Sequence, residues 1–205
     1  MIMINIKFGT DGWRAIIAKE YTVDNVIRVT AAAAQWMKER NFSRVVVGYD
    51  CRFAGKMFSE YTASVFAANG IEVYLDKNFV STPMVSLGVV KLKADLGIVI
   101  TASHNPPSYN GYKLKSHFGG PTIPKEVGEI EDLIPDYVPE VNTDFNYHVE
   151  SGMIKFIDME QMYMDHVLAY FDMDSIKKGV VLAYDAMYGA GQNVIKRLFP
   201  KAYCL

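Results

Sequence analysis

The stretch DLGIVITASHNPPSYNGYKLK (residues 95–115) joins a continuous apolar run to a polar loop. The run over 95–103 predicts a strand that is buried on both faces of a sheet. In open α/β sheets, ligands bind beyond the carboxyl ends of such strands. The stretch therefore predicts a sheet covered by helices and a candidate site in the loop that follows the strand.

The chain around this stretch alternates between strand patterns and helix patterns. We predict strands at 4–8, 44–50, 71–76 and 95–103. We predict helices from the N-cap Thr22 to about Arg40, over 56–69 before the C-cap Gly70, and from 81–84 onward. This alternation indicates an α/β fold, namely a three-layer α/β/α domain with a mostly parallel mixed sheet.

The second part of the chain has the pattern of a separate unit. After a helix near 124–133, residues 135–152 are polar and broken by prolines, which is typical of a linker. We therefore predict a first domain over 1–134, a linker over 135–152 and the start of a second domain over 153–205. The predicted elements of that second domain are a helix with an apolar stripe (Met164, Val167, Leu168 and Phe171), a strand at 180–185 and a helix at 189–199.

The predicted second domain contains one strand–helix unit and no parallel partner for its strand. Because a lone parallel strand leaves its backbone groups without a ladder, we expect an incomplete second α/β domain. The apolar surface that such a domain leaves uncovered is compatible with self-association.

The composition argues against several classes of protein. The 205 residues carry a net charge of −2 with no basic run, which predicts neither a nucleic-acid partner nor a membrane-surface partner. The first residues lack the pattern of a signal peptide, and no apolar stretch is long enough to span a bilayer. Cys51 and Cys204 fit neither a disulfide framework nor a zinc motif, so we predict reduced thiols in a cytoplasmic protein.

Ser103 is the candidate reactive group, because it lies just beyond a buried strand on a rigid scaffold. His104 follows it directly, but neighbouring side chains of an extended chain point apart, so a Ser–His proton relay is not expected. The sequence also lacks the G-x-S-x-G elbow of serine hydrolases with this architecture. These two observations argue against acyl transfer.

Cationic residues are available to surround Ser103. They are His104, Lys113 and Lys115 in the same stretch, with Arg14 and Arg52 from other loops. Such a set stabilises a phosphate group, including one carried on the serine itself. The Asn-Gly pair that ends at Gly111 predicts a close turn that brings Lys113 back toward the serine. A solvated loop whose turn residues have no further role is the open alternative.

Four motifs of the chain resemble those of one enzyme family. T-A-S-H-N-P-P-x-Y-N-G-Y-K (101–113) resembles the active-site serine signature of the α-D-phosphohexomutases. F-G-T-D-G-W-R-A (8–15), V-G-Y-D-C-R (47–52) and D-A-M-Y-G-A-G (185–191) follow the order of the family. The forms GTDGWRA and NPPSYNGYK look more like the phosphoglucomutase/phosphomannomutase type than the phosphoglucosamine mutase type.

The resemblance implies a role for each matching residue. Ser103 would be the phosphorylated serine that exchanges its phosphoryl group with a hexose phosphate, through a bisphosphorylated sugar, and its phosphate would supply an oxygen ligand to Mg²⁺. Lys113 would be the general acid/base, and Arg14 would act near the phosphoserine. His104 and Asn105 flank the serine and would orient it, with His104 as a catalytic residue. The residues implied to bind substrate or phosphate, or to hold the serine region, are Thr10, Asp11, Asn105, Asp50 and Arg52.

Each of these residues also has an ordinary explanation. Arg14 could form a surface ion pair with Asp11 or Asp50, which would contribute little to stability. Lys113 could be a solvated lysine at a strand end, and Asp50 could cap a loop.

The resemblance extends to only part of a four-domain family chain. The D-G-D-G-D-R loop that supplies carboxylates to Mg²⁺ in the family is absent from these 205 residues. We therefore expect the parent protein to interconvert hexose 1-phosphate and hexose 6-phosphate, with glucose or mannose as the sugar, and these residues alone to be inactive. The competing hypothesis is a non-catalytic module that binds a phosphosugar or a partner.

Overall fold

A six-stranded mixed sheet forms the centre of the protein. The computed structural model describes residues 4–9 and 12–204. The strands are β1 (Trp13–Ile16), β2 (Arg44–Tyr49), β3 (Glu72–Asp76), β4 (Leu96–Ile100), β5 (Tyr109–Ser116) and β6 (Ile154–Ile157). Their order across the sheet is β1-β5-β4-β2-β3-β6. Strands β4, β2, β3 and β6 run parallel, whereas β5 is antiparallel to both of its neighbours, β1 and β4.

Helices cover both faces of this sheet. They are α1 (Val23–Glu39), α2 (Gly55–Ala68), α3 (Thr82–Leu92), α4 (Pro124–Asp132), α5 (Phe145–Glu150), α6 (Met159–Tyr170), α7 (Met173–Gly179) and α8 (Gln192–Leu198). One core cluster joins the sheet to α1, α2 and α4, and a second joins the opposite face to α3, α6 and α8. The predicted three-layer α/β/α architecture with a mostly parallel mixed sheet is confirmed.

Most of the predicted elements lie where the patterns placed them. Helix α1 begins after Thr22, whose hydroxyl accepts a hydrogen bond from the Asn25 N–H at 3.3 Å. Helix α2 is followed by Gly70, which has a φ of +79°. No helix among the residues that the structure describes is long and apolar enough to cross a membrane.

The strand predicted at 4–8 is wrong. These residues form no strand, and the Phe8 N–H donates to a carboxylate oxygen of Glu131 at 2.7 Å instead of joining a ladder. The first strand is β1, in which Trp13 and Ala15 alternate into the core. Ile6 is also buried in this core, so the apolar residues of 4–8 serve packing without pairing.

The predicted linker over 135–152 contains the helix α5, which packs near α2, and it leads into β6. Strand β6 pairs in parallel with β3 and so extends the central sheet. The division of the chain at 134 and 152 stays a prediction.

The expectation that strand 180–185 has no parallel partner is wrong. The strand is shorter, β7 (Ala183–Tyr184), and it pairs in parallel with β8 (Tyr203–Cys204). The chain turns back after α8, and the Tyr203 N–H donates to the Leu182 carbonyl at 2.9 Å. The residues after α8 are thus sufficient to provide a two-residue ladder.

Candidate functional site

Ser103 projects from a constrained loop at the carboxyl end of β4. It lies three residues beyond Ile100, is exposed, and has a φ of +57°. Left-handed backbone is unfavourable for residues other than glycine, so the surrounding contacts must hold this conformation. One of these contacts is the Ser103 N–H, which donates to the Thr101 hydroxyl at 3.0 Å.

Arg52 holds this loop through its backbone carbonyls. Its guanidinium donates to the carbonyl oxygens of Ser103 at 2.9 Å, Asn105 at 2.6 Å, Pro106 at 2.9 Å and Tyr109 at 2.9 Å. Charged donors form stronger hydrogen bonds than neutral donors, and the planar guanidinium sets their directions. Arg52 therefore fixes the conformation of the serine loop by binding its carbonyl oxygens. Its predicted role in binding phosphate stays a prediction.

Asp50 orients Arg52 through contacts with its backbone and its side chain. One carboxylate oxygen accepts the Arg52 backbone N–H at 3.0 Å, and the other lies 3.5 Å from the Arg52 Nε. The second oxygen also accepts from the Thr101 hydroxyl at 2.5 Å. Asp50 therefore caps its own loop and, through Thr101, also supports the serine loop.

Arg14 reaches the same loop from β1. Its guanidinium donates to the Asn105 side-chain oxygen at 2.8 Å. The contact is possible because β1 pairs with β5, which places Arg14 opposite Gly111. Residues 14 and 105, which are 91 positions apart in the chain, are thus in direct contact.

The His104 ring lies beside the Ser103 hydroxyl, at the long end of the hydrogen-bonding range. The Ser103 Oγ is 3.4 Å from the His104 Nδ1, longer than the ~3 Å of a good hydrogen bond. The two side chains therefore do not point apart as expected for an extended chain, because the backbone of Ser103 is left-handed. The absence of a Ser–His proton relay and the orienting role of His104 stay predictions.

Lys113 and Lys115 lie within β5 and are almost completely buried, at 6% exposure each. Lys113 is paired with Val99 of β4, on the sheet face opposite to the core residue Tyr112. The ordinary explanation of Lys113 as a solvated strand-end residue is therefore wrong. Its role as an acid/base stays a prediction.

Gly111 is needed for close packing and not for a turn. The Asn-Gly pair lies inside β5, so the predicted turn at this point is wrong. A Cβ on Gly111 would lie 2.5 Å from the Thr101 carbonyl oxygen and 2.8 Å from the Trp13 carbonyl oxygen. Two neighbouring strands approach the glycine so closely that no side chain fits between them.

An open cleft of about 560 Å³ lies beside Ser103. One wall comes from the loops after β2 and β4, with Asp50, Arg52, Thr101 and Ser103. The other wall includes residues 187 and 189–191, from the motif that precedes α8. The structure thus brings three of the four motifs to one cleft, although Arg14 and Lys113 are not part of its lining.

The comparisons with known proteins agree with this arrangement. Residues 5–139 match the family model described as phosphoglucomutase/phosphomannomutase, alpha/beta/alpha domain I. The chain belongs to the α-D-phosphohexomutase family. This result confirms the resemblance drawn from the four motifs.

Individual phosphohexomutase relatives carry different substrate names. A phosphoglucomutase of Staphylococcus saprophyticus is 36% identical over 162 residues, which cover 76% of this chain and 29% of the relative. A phosphoribomutase of Saccharomyces cerevisiae is 32% identical, and the match covers 98% of this chain and 36% of the relative. A phosphoglucosamine mutase of Alkaliphilus metalliredigens is 30% identical, with coverages of 93% and 43%.

A solved phosphohexomutase-type structure shows the same fold. It is described as a candidate phosphomannomutase from Thermus thermophilus, and it matches with a TM-score of 0.87 and 34% identity over 96% of this chain. This chain covers 43% of that structure. The chain therefore spans 29% to 43% of the length of these relatives.

The donor set around Ser103 does not form a Mg²⁺ site by itself. Within residues 4–9 and 12–204, no three His, Cys, Asp or Glu side chains converge in a way that could hold a metal ion. Both oxygens of Asp50 accept hydrogen bonds, and its neighbour Arg52 is cationic. The predicted metal ligand, the phosphate of Ser103, stays a prediction.

Two predicted phosphate-binding residues, Thr10 and Asp11, lie outside the described residues. The sequence analysis also missed two buried residues that support the loop. Thr101 joins Asp50 to Ser103, and Asn110 donates to the Phe53 carbonyl at 3.3 Å while it accepts the Gly111 N–H at 2.8 Å. Both belong to the serine motif, so the motif marked them, but only their burial and contacts reveal the role.

Proposed function

We propose that Ser103 carries a phosphoryl group that the protein exchanges with a hexose phosphate, in the manner of a phosphohexomutase. The observation that supports this proposal best is the presentation of the Ser103 hydroxyl. Hydrogen bonds hold both its amide and its carbonyl, while the side chain stays exposed at the edge of the cleft.

The proposed reaction consists of two phosphoryl-transfer steps. The bond between Ser103 Oγ and phosphorus breaks, a new bond forms between phosphorus and a sugar hydroxyl oxygen, the sugar hydroxyl proton moves to a base, and Ser103 Oγ takes up a proton from an acid. The resulting hexose bisphosphate then returns its other phosphoryl group to Ser103. In the return step the Ser103 hydroxyl gives its proton to a base, its oxygen binds the other phosphorus, and the sugar oxygen that leaves takes up a proton. Because phosphoryl transfer depends mainly on positioning and on stabilising spread negative charge, a firmly held serine suits this chemistry.

We assign the proton transfer to Lys113 and the support of the phosphate to Arg14. The position of Lys113 supports this assignment, since it lies in β5, which pairs with β4, the strand that leads into the serine loop. The Arg14 guanidinium is tied to Asn105, two residues from the serine, which supports its place near a phosphate on Ser103.

We propose hexose 1-phosphate and hexose 6-phosphate, with glucose or mannose as the sugar, as the substrates. The family supports a phosphorylated sugar in general, and its members are named for glucose, ribose and glucosamine phosphates. A panel of these sugar phosphates, tested for the exchange of phosphate with Ser103, would identify the sugar.

We propose Mg²⁺ as the cofactor of the parent protein, with the Ser103 phosphate as one oxygen ligand. The remaining ligands are expected outside the described residues. We also propose that residues additional to these 205 are needed for complete turnover, because the chain spans at most 43% of the relatives compared above.

The first test is the modification of Ser103. The full-length parent, supplied with Mg²⁺, is incubated with glucose 1,6-bisphosphate, and the phosphate is located by mass spectrometry of peptides. We expect phosphate on Ser103, loss of the label in Ser103→Ala, and retention in Ser108→Ala, which removes an exposed serine of the same loop. Equal labelling of wild type and Ser103→Ala would contradict the assignment of the serine.

The second test is the mutase assay. We expect no conversion of glucose 1-phosphate to glucose 6-phosphate by the 205 residues alone, and conversion by the full-length parent that is lost with Ser103→Ala. Turnover by the 205 residues would contradict the proposal that further residues are required. A non-catalytic binding module would bind phosphosugar without becoming labelled.

Self-association and a cytoplasmic location stay predictions. Val181 is 90% exposed beside the small β7–β8 sheet, which supports an apolar contact there. Light scattering at increasing concentration would detect self-association, and a constant monomer mass would contradict it.

A further inference from the structure

We infer that Thr101 is a positioning residue, whose hydroxyl connects the Asp50 carboxylate to the backbone of Ser103 and so holds the serine for phosphoryl transfer. This inference rests on the proposed function of Ser103. Neither the ordinary interpretation of the loop nor the roles implied for the motif residues assigned any task to Thr101.

The polarity of this connection follows from the chemistry of its three groups. The Thr101 hydroxyl has one proton, and an ionised carboxylate can only accept, so the proton is donated to Asp50 at 2.5 Å. The lone pairs of the hydroxyl are then available to the Ser103 N–H, which donates at 3.0 Å. Thr101 is only 4% exposed, so water does not readily replace these contacts.

The Thr101 hydroxyl holds the amide of Ser103, whereas Arg52 holds only its carbonyl group. Arg52 binds the Ser103 carbonyl at 2.9 Å, and Thr101 binds its amide. With both peptide groups held, the left-handed φ of +57° is maintained, although serine does not favour it. The side chain takes no part in these contacts, so its oxygen is left accessible to a phosphoryl group.

Asp50 orients both contacts at once. It accepts from Thr101 through one oxygen and from the Arg52 backbone through the other. The positions of the Ser103 amide and carbonyl therefore depend on one carboxylate. Because a small misplacement of reacting atoms slows a reaction strongly, loss of the Thr101 hydroxyl is expected to lower the rate of transfer more than the binding of the sugar.

The test compares two substitutions of Thr101 with a matched control. Thr101→Val keeps the shape of the side chain and removes the hydroxyl, whereas Thr101→Ser keeps the hydroxyl. Thr62→Val is the control, because Thr62 is fully buried and its hydroxyl has no hydrogen-bond partner among the described residues. Thermal melting of all variants checks that each one folds.

Two measurements are made, amide exchange on the 205-residue chain and labelling on the full-length parent supplied with Mg²⁺. The first is hydrogen exchange of the Ser103 amide by NMR, and the second is the rate of Ser103 labelling as a function of glucose 1,6-bisphosphate concentration. In Thr101→Val we expect about tenfold faster amide exchange and about tenfold slower labelling at saturation, with little change in the half-saturating concentration. Thr101→Ser and Thr62→Val should remain within about twofold of wild type.

The outcomes separate this inference from the proposed function. Unchanged amide exchange and labelling in a folded Thr101→Val variant would overturn the role of Thr101 and leave Ser103 as the phosphate carrier. Faster amide exchange in Thr101→Val, together with no labelling of the wild-type full-length parent, would retain the Thr101 contact and overturn the proposed function. A Thr101→Val variant that does not fold is replaced in the comparison by Thr101→Ser and Thr101→Ala.

Discussion

Arg52 forms hydrogen bonds to four carbonyl oxygens of one loop, and lysine cannot reproduce this pattern. Lysine keeps the charge but lacks the planar set of donors. We therefore expect Arg52→Lys to lower the free energy of unfolding by about 1–3 kcal/mol and to accelerate exchange of the Asn105 and Tyr109 amides. Urea unfolding and hydrogen exchange measure the two effects.

The control for this prediction is Arg197→Lys. Arg197 pairs with Glu160 on the surface, and such pairs contribute about 0–1 kcal/mol. If Arg52→Lys and Arg197→Lys changed the free energy of unfolding and the amide exchange of the loop equally, the hydrogen bonds of Arg52 to the serine loop would not be what stabilises it.

Gly111 provides a steric prediction. An added methyl group would lie 2.5 Å from the Thr101 carbonyl oxygen, so the strands must separate. We expect Gly111→Ala to destabilise the protein by about 1–3 kcal/mol in urea unfolding. The control Gly128→Ala adds a methyl group in α4 with no atom within 4 Å, and should stabilise by up to about 1 kcal/mol.

Asp76 connects two elements, the end of β3 and the start of α6. Its carboxylate accepts the Asn78 N–H at 2.9 Å and the Met159 N–H at 2.7 Å. Burial raises the pKa of Asp76, and its backbone hydrogen bonds only partly offset this effect. The folded protein therefore retains the proton of this group at a pH where the unfolded chain has lost it.

The sign of the pH dependence follows from this difference. The Asp76 carboxyl contributes stability below the unfolded pKa of about 3.9, and that contribution is lost as the pH rises through the higher folded pKa. We expect the free energy of unfolding of wild type relative to Asp76→Asn to decrease over this interval and then to level off. Urea unfolding from about pH 4 to pH 7 tests this expectation.

Asp172 supplies a control, because its pKa is shifted in the direction opposite to that of Asp76. Hydrogen bonds from Ser175 lower the pKa of Asp172, so its contribution is present above the unfolded pKa and is lost as the pH falls through the folded pKa. Stability of wild type relative to Asp172→Asn should therefore not decrease as pH rises. If the stability of wild type relative to Asp76→Asn and relative to Asp172→Asn changed with pH in the same direction, the assignment of the effect to Asp76 would be contradicted.

One buried apolar cluster joins the central sheet and α3 to the C-terminal helix α8. Val46 and Val99 from the central sheet, Val85 from α3, and Val194 and Leu198 from α8 lie in the same buried group. Because these residues pack together, we expect the whole chain to unfold in one cooperative transition.

Leu198→Ala tests this expectation. The substitution should lower the free energy of unfolding by about 2–4 kcal/mol, and fluorescence of Trp13 and Trp36 in the first core should report the same midpoint as circular dichroism. Leu168→Ala, at a half-exposed site on α6, should change stability by less than about 0.5 kcal/mol. Two separate transitions would instead support independent domains with a boundary near the predicted linker.

Much of the site could be predicted because its residues lie in compact motifs. Ser103 and Arg14 are predicted from position and charge, and Asp50 and Asn105 from the family resemblance. The structure brings Arg14 and Asp50 into contact with the serine loop. The partners of Arg52 could not be predicted. They are carbonyl oxygens more than 50 positions away, and no residue type identifies a backbone carbonyl.

The sequence by itself determined the alternation of strands and helices, the buried central strands and the family, because hydrophobic periodicity and compact motifs are local properties of the chain. Tertiary structure alone decided that β5 lies antiparallel between β1 and β4, that β6 extends the sheet and that β8 pairs with β7. It also decided that the Thr101 hydroxyl lies between a carboxylate and the serine amide. These features depend on which backbone groups meet across long separations, and hydrogen bonds between distant groups leave no periodic pattern in the sequence.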